Sequence, residues 1–150
     1  MTDSNSIEKE ILLHAPKTRV WGALTDSTEF GTWFRVRFDA PFQTGRVSSG
    51  KIAFPGYEHL NMEITVDRMN PEDYFSYRWH PYAINPAVDY SKEPMTLVEF
   101  RLEEAAGGTL LKIKESGFDQ IPAARRAEAF KMNENGWSGQ IKNIQRHVES

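Results

Sequence analysis

The chain has 150 residues, no cysteine and a formal net charge of −3 at pH 7. That balance, with no basic run, argues against nucleic acid or an anionic membrane as partner. The missing cysteines exclude disulfides, thiolate zinc sites and a cysteine nucleophile. Hydrophobic residues make up 39% and aromatic residues 12%, so rings do much of the work in a core that one domain over residues 1–150 would bury. Met1 to Ser6 is polar and lacks a signal-peptide layout, and no apolar run approaches the ~20 residues a bilayer span needs. The expectation is a cytoplasmic protein without membrane insertion.

In chain order, Ile7 to His14 reads as a strand with Ile7, Lys9, Ile11 and Leu13 on one face. Pro16 can open a helix over Lys17 to Asp26 that groups Val20, Trp21 and Leu24. Ser27 or Thr28 can cap a second short helix, Glu29 to Phe34, with Phe30, Trp33 and Phe34 inward. Arg35 to Phe54 holds two short strands around Gly45, and Pro55-Gly56 is a turn. Glu58 to Met69 alternates, with Leu60, Met62, Ile64 and Val66 on its apolar side. Tyr74 to His80 puts Phe75, Tyr77 and Trp79 on one face. Pro81 to Pro94 carries three prolines and no period, so it is a long loop, a common place for function or mobility. Met95 to Leu102 turns Val98, Phe100 and Leu102 one way. Ala106-Gly107-Gly108 is a hairpin connection, and Thr109 to Ser116 returns with Leu111, Ile113 and Glu115 sharing a face.

The last stretch, Ile121 to Val148, carries Ala123, Ala127, Phe130, Trp137, Ile141, Ile144 and Val148 on one stripe. That predicts an amphipathic helix roughly 40 Å long at ~1.5 Å per residue. The stripe is interrupted between Phe130 and Trp137, where Asn133 and Glu134 stand. Gly136 and Gly139 follow, each costing a helix interior ~1 kcal/mol relative to Ala. This predicts a helix that packs closely at its ends and faces something other than solid core in the middle. Glu134 turned out to the rim is the alternative. Strands joined by short turns are antiparallel, and one amphipathic helix must cover such a sheet. A single helix cannot fill a curved sheet, so room remains between them.

Four stretches carry a resemblance. APKTRVWGALTDSTEFGTWF is similar to the opening of START-like, or Bet v 1-like, helix-grip domains of the SRPBCC superfamily. MEITVDRMNPEDYFSYRWH resembles their strand, proline turn and strand ending in Trp. TLVEFRLEEAAGGTLLKIKESGF resembles their final hairpin, and NENGWSGQIKNIQRHV their closing helix. The closest likeness is to the subgroup of activator homologues of the heat-shock-protein-90 ATPase. RFDAPFQTGRVSSGKIAF departs from the family pattern, with Asp39 displaced and a single glycine, Gly45. The resemblance implies an α+β helix-grip fold. A curved antiparallel sheet of about six or seven strands wraps a long C-terminal helix, with two short helices after the first strand. It also implies an apolar cavity between sheet and helix. Members bind lipids, hormones or polyketides, cyclise polyketides, or have no known ligand.

The candidate cavity residues are Trp33, Phe34, Met62, Ile64, Phe75, Tyr77, Trp79, Phe100, Glu115, Phe130, Asn133, Glu134 and Trp137. Tyr57, His80, Tyr82 and Tyr90 are candidates for its mouth. Glu115 is placed inward by strand parity. It could serve as acid or base, hold a ligand's polar head, or pair with an arginine such as Arg35, Arg37 or Arg46. His14, His59, His80 and His147 are far apart in sequence, so no metal site is expected, and no cofactor is implied. The favoured partner is a small apolar or amphipathic molecule, with a binder preferred to an enzyme. A cyclase or hydratase using Glu115 or Glu134, and a chaperone-ATPase accessory, are the alternatives. The oligomeric state is open, with a dimer as one option.

Overall fold

The computed structural model describes residues 5–53, 55–83 and 87–149. The polar start at Met1 to Ser4, the strand end at Phe54 and the middle of the proline-rich loop, 84–86, lie outside the described residues. In chain order the elements are β1 (Ser6–Leu13), α1 (Lys17–Thr25), α2 (Ser27–Phe34), β2 (Val36–Phe38), β3 (Val47–Ile52), β4 (Asn61–Asn70), β5 (Tyr74–Trp79), β6 (Thr96–Ala105), β7 (Gly108–Ser116) and, after a short 3-10 turn (Phe118–Gln120), α3 (Ala123–Glu149). All strand pairs are antiparallel, in the order β1-β7-β6-β5-β4-β3-β2. This is the expected helix-grip arrangement: one sheet, two short helices after its first strand, and a long closing helix.

Alternation in the sequence decides which face each strand buries. Met62, Ile64 and Val66 of β4, Phe75 and Tyr77 of β5, Val98, Phe100 and Leu102 of β6, and Leu111 and Ile113 of β7 all lie in one core. A bulge between Val66 and Arg68 bends β4 against β5. The β6–β7 hairpin brings its glycine pair against β1. Gly107 has φ +86°, and a Cβ on Gly108 would stand 2.0 Å from the Leu13 carbonyl oxygen. Only a residue without a side chain lets β1 and β7 meet there.

The N-terminal cap of α2 is Asp26, not Ser27 or Thr28. Its carboxylate accepts from the backbone N–H of Thr28 (2.9 Å) and Glu29 (3.1 Å). Trp33 then donates its indole N–H to the Ala23 carbonyl at 2.8 Å, which locks α2 onto α1.

The helix α3 runs 27 residues and buries Ala129, Trp137, Ile144 and Val148. Ala123 and Ala127 are exposed, contrary to the stripe drawn from sequence. The first turns of α3 instead engage the segment after β5 through Arg125, which donates to the Pro81 carbonyl (2.8 Å) and to Glu93 (2.8 Å). The glycines have no packing role either: a Cβ on Gly136 or Gly139 would meet nothing within 4 Å. Among the described residues, no helix is long and apolar enough to cross a membrane.

Candidate functional site

Parity along β7 places Glu115 inward with Leu111 and Ile113, and its exposure is 0%. A carboxyl group that deep needs partners for both oxygens. Four side chains from three other elements supply five hydrogen bonds. Trp79, at the end of β5, donates its indole N–H to Oε2 at 2.7 Å. The Thr96 hydroxyl, at the start of β6, reaches the same oxygen at 2.5 Å. Asn133 of α3 spans both oxygens, at 3.0 and 3.1 Å. The Trp137 indole N–H meets Oε1 at 2.9 Å.

None of these donors is an arginine. Arg35, Arg37 and Arg46 sit on exposed positions beside β2 and β3, at the opposite end of the strand order from β7. The expected ion pair is therefore replaced by neutral donors. Glu134 is also corrected: it is exposed, and Asn133 is the residue that enters the site. Thr96 is the member the sequence reading omitted. It shares its face of β6 with Val98, Phe100 and Leu102, so the same parity that marks those residues marks it.

Rings pack around this carboxylate. Trp79 and Trp137 lie 5.9 Å apart, Phe34 is 5.9 Å from Trp79 and 6.1 Å from Trp137, and Phe100 is 5.8 Å from Trp137. Tyr77 lies 5.3 Å from Trp79 and 6.0 Å from Phe100. The rings expected to wall an open cavity thus touch one another and form a floor. Phe34, Trp79 and Asn133 remain half-buried above it, while Tyr77, Phe100, Trp137 and Glu115 are buried. The Tyr77 hydroxyl has no hydrogen-bond partner among the described residues. Burial, reinforced by the nearby Glu115 charge, holds that phenol well above its usual range, so it stays protonated.

The remaining candidates divide. Phe75, Met62 and Ile64 are core residues of β5 and β4. Phe130 packs on Phe118 at 5.2 Å rather than on the tryptophans. Trp33 is committed to the α1–α2 contact. Of the mouth candidates, Tyr57 is 45% exposed, Tyr90 lies under the Arg125 guanidinium at 4.8 Å, and His80 contacts the Glu93 carbonyl at 3.0 Å. Tyr82 has φ 52° and is half-buried. Hollows of about 420 and 350 Å³ flank Glu99 and Arg101 on the outer face of the sheet. Charged side chains dominate their linings, which does not suit an apolar guest.

A second carboxylate also holds α3. Glu29 of α2 pairs with Arg19 of α1 and, at 3.0 Å, with the His147 ring near the end of α3. Burial pushes its carboxyl up, but the hydrogen bonds from Arg19 and His147 outweigh that and keep it below its ordinary 4.5.

A curved antiparallel sheet gripping one long helix, with a polar point inside an aromatic interior, defines the protein as a helix-grip protein of the SRPBCC type. The chain belongs to the family described as "Activator of Hsp90 ATPase homolog 1-like protein", which matches residues 14–149. Its fold is similar to that of protein MLL2253 from Mesorhizobium loti, with a TM-score of 0.75 at 21% identity over 96% of each chain. Aha1 from Colwellia psychrerythraea, solved as a dimer, has a TM-score of 0.71 at 16% identity over 96% of each chain. DynU16, from the dynemicin biosynthetic locus, has a TM-score of 0.74 at 23% identity over 99% of this chain and 48% of that one. This chain therefore spans about half the length of DynU16. At these identities the likeness is one of fold. No curated protein matches the chain.

Proposed function

We propose that this protein binds a small apolar or amphipathic molecule between the sheet and α3, against Phe34, Trp79 and Asn133. One observation carries the reading: half-buried rings stand beside a fully buried carboxylate that only neutral donors satisfy. Binding sites have that composition, apolar walls with a few convergent polar groups.

The same geometry speaks against acid–base catalysis. A proton-transfer group needs a lone pair or proton directed at the substrate. Both oxygens of Glu115 are already engaged, and Glu134 lies outside. The family description favours a second reading, an accessory of a chaperone ATPase. Stimulation of a purified chaperone ATPase by this protein is its test.

The binding reading is tested by native mass spectrometry and a thermal-shift screen of lipids and aromatic compounds. A retained ligand, or a raised melting temperature that Trp79→Ala abolishes, supports it. No binding across the screen overturns it.

A further inference from the structure

Glu115 is a buried acid without a buried base. Its five hydrogen bonds come from two indoles, one hydroxyl and one amide. No lysine, arginine or histidine among the described residues forms an ion pair with it. Half-buried acids elsewhere in the chain do take cations: Glu29 takes Arg19 and His147, and Glu93 takes Arg125. Every partner donates to the carboxyl oxygens, and neutral donors bring no compensating positive charge to an anion there. In a poorly polarisable interior a charge is felt over several ångströms.

Two of the four donors are also part of the floor and rim. Trp79 and Trp137 turn their N–H edges to the carboxylate, so their ring faces look elsewhere. Hydrogen-bonding to an anion polarises an indole and adds negative character to its face. Tryptophan already has the face that attracts cations best. Trp79 is half-buried, with half-buried Phe34 set edge-to-face against it at 5.9 Å. Tyr77 stands beside Trp79 on the same inner face of β5, its oxygen lone pairs unused by the described residues.

Resting on the binding reading above, we propose that the ligand is a monovalent organic cation, an amine or quaternary ammonium with an apolar body. Its charge lies on the faces of Trp79 and Phe34, above Glu115. Carboxylate ligands such as fatty acids are rejected. They meet a second carboxyl group, and among the described residues no lysine, arginine or histidine pairs with Glu115 to receive them.

The test is a set of three probes of similar size titrated into the whole protein, read by tryptophan fluorescence and calorimetry. They are benzyltrimethylammonium, its neutral isostere neopentylbenzene, and phenylacetate. The proposal expects the cation to bind at least about tenfold tighter than the neutral isostere, and phenylacetate not to bind. Phe34→Leu should narrow the gap between cation and isostere, since it removes a ring face without touching Glu115. Glu115→Gln should abolish it. Because that variant can fail to fold, the wild-type series and Phe34→Leu decide without it. Equal or tighter binding of the isostere or of phenylacetate overturns the charge selection and leaves the binding reading standing. If none of the three binds, the proposal falls. If the wider screen is also empty, the binding reading falls with it.

Discussion

Two carboxylates hold α3 in place, and they do so by opposite chemistry. Glu115 grips the middle of the helix from inside the sheet, fully buried, through neutral donors. Glu29 grips its end from α2, with a side chain 33% exposed, through Arg19 and His147. Water and salt screen the second contact, so it contributes little and varies with conditions. The first is shielded from both. Removing its acceptor strands the buried Thr96 and Trp137 donors in a place water does not reach. The site region is thus less tolerant of change than the contact at the end of α3.

The sharpest way to break this contrast is Glu115→Ala. It leaves four donors without an acceptor, and the two on buried side chains, Thr96 and Trp137, are worth about 1–3 kcal/mol each, so a loss of about 2–6 kcal/mol is expected in urea unfolding. For a domain whose total stability is about 5–15 kcal/mol, that approaches unfolding. A loss below about 1 kcal/mol would put Glu115 in water. Next comes Trp137→Ala, expected to cost about 3–5 kcal/mol for a buried aromatic. Trp137→Phe keeps a ring and loses one bond, so its cost should be about 1–3 kcal/mol. Equal losses for the two variants would show that the indole N–H, not the ring, carries the effect.

Tyr77→Phe should leave stability unchanged, or raise it by less than about 1 kcal/mol, since it deletes a hydroxyl that no described residue hydrogen-bonds. A clear destabilisation would reveal a partner for that oxygen. Glu29→Gln is the mildest, at about 0–1 kcal/mol. The native pKa of Glu29 lies below its ordinary 4.5. Its contribution is therefore present above that pH and is lost as the pH falls through the lowered value. Chemical denaturation across a pH series should show the variant's deficit in full at pH 7 and shrinking progressively as the pH falls below 4.5, and it should also shrink in added salt. A deficit that neither falls with pH nor responds to salt would mean that the carboxylate charge is not what acts there.

Much of this was legible in the residues. Parity on β5, β6 and β7 marked Trp79, Phe100 and Glu115 as inward, and would have marked Thr96. The partner of Glu115 was not legible, because which strand lies beside which is a long-range fact. A sequence offers the nearest plausible arginine, whereas the strand order puts Arg35, Arg37 and Arg46 far from β7. The choice between Asn133 and Glu134 was open for a different reason. Asn133 is three residues from Phe130 and four from Trp137, and Glu134 is four and three, so helical spacing ranks them equally. Burial decides, since an amide can enter beside a carboxylate and a second carboxylate cannot without cost. The glycines of α3 misled because absence of a side chain reads the same against a neighbour and against open space.

The central claim is that Glu115 sits inside the molecule as the common acceptor for two indoles. Hydrogen exchange of the assigned tryptophan indole protons, followed by NMR, tests it most directly. Trp79 and Trp137 should be protected far beyond half-buried Trp21, and their resonances should be the indole signals displaced most by Glu115→Gln. Rapid exchange of both with solvent, with no response to that substitution, would contradict it.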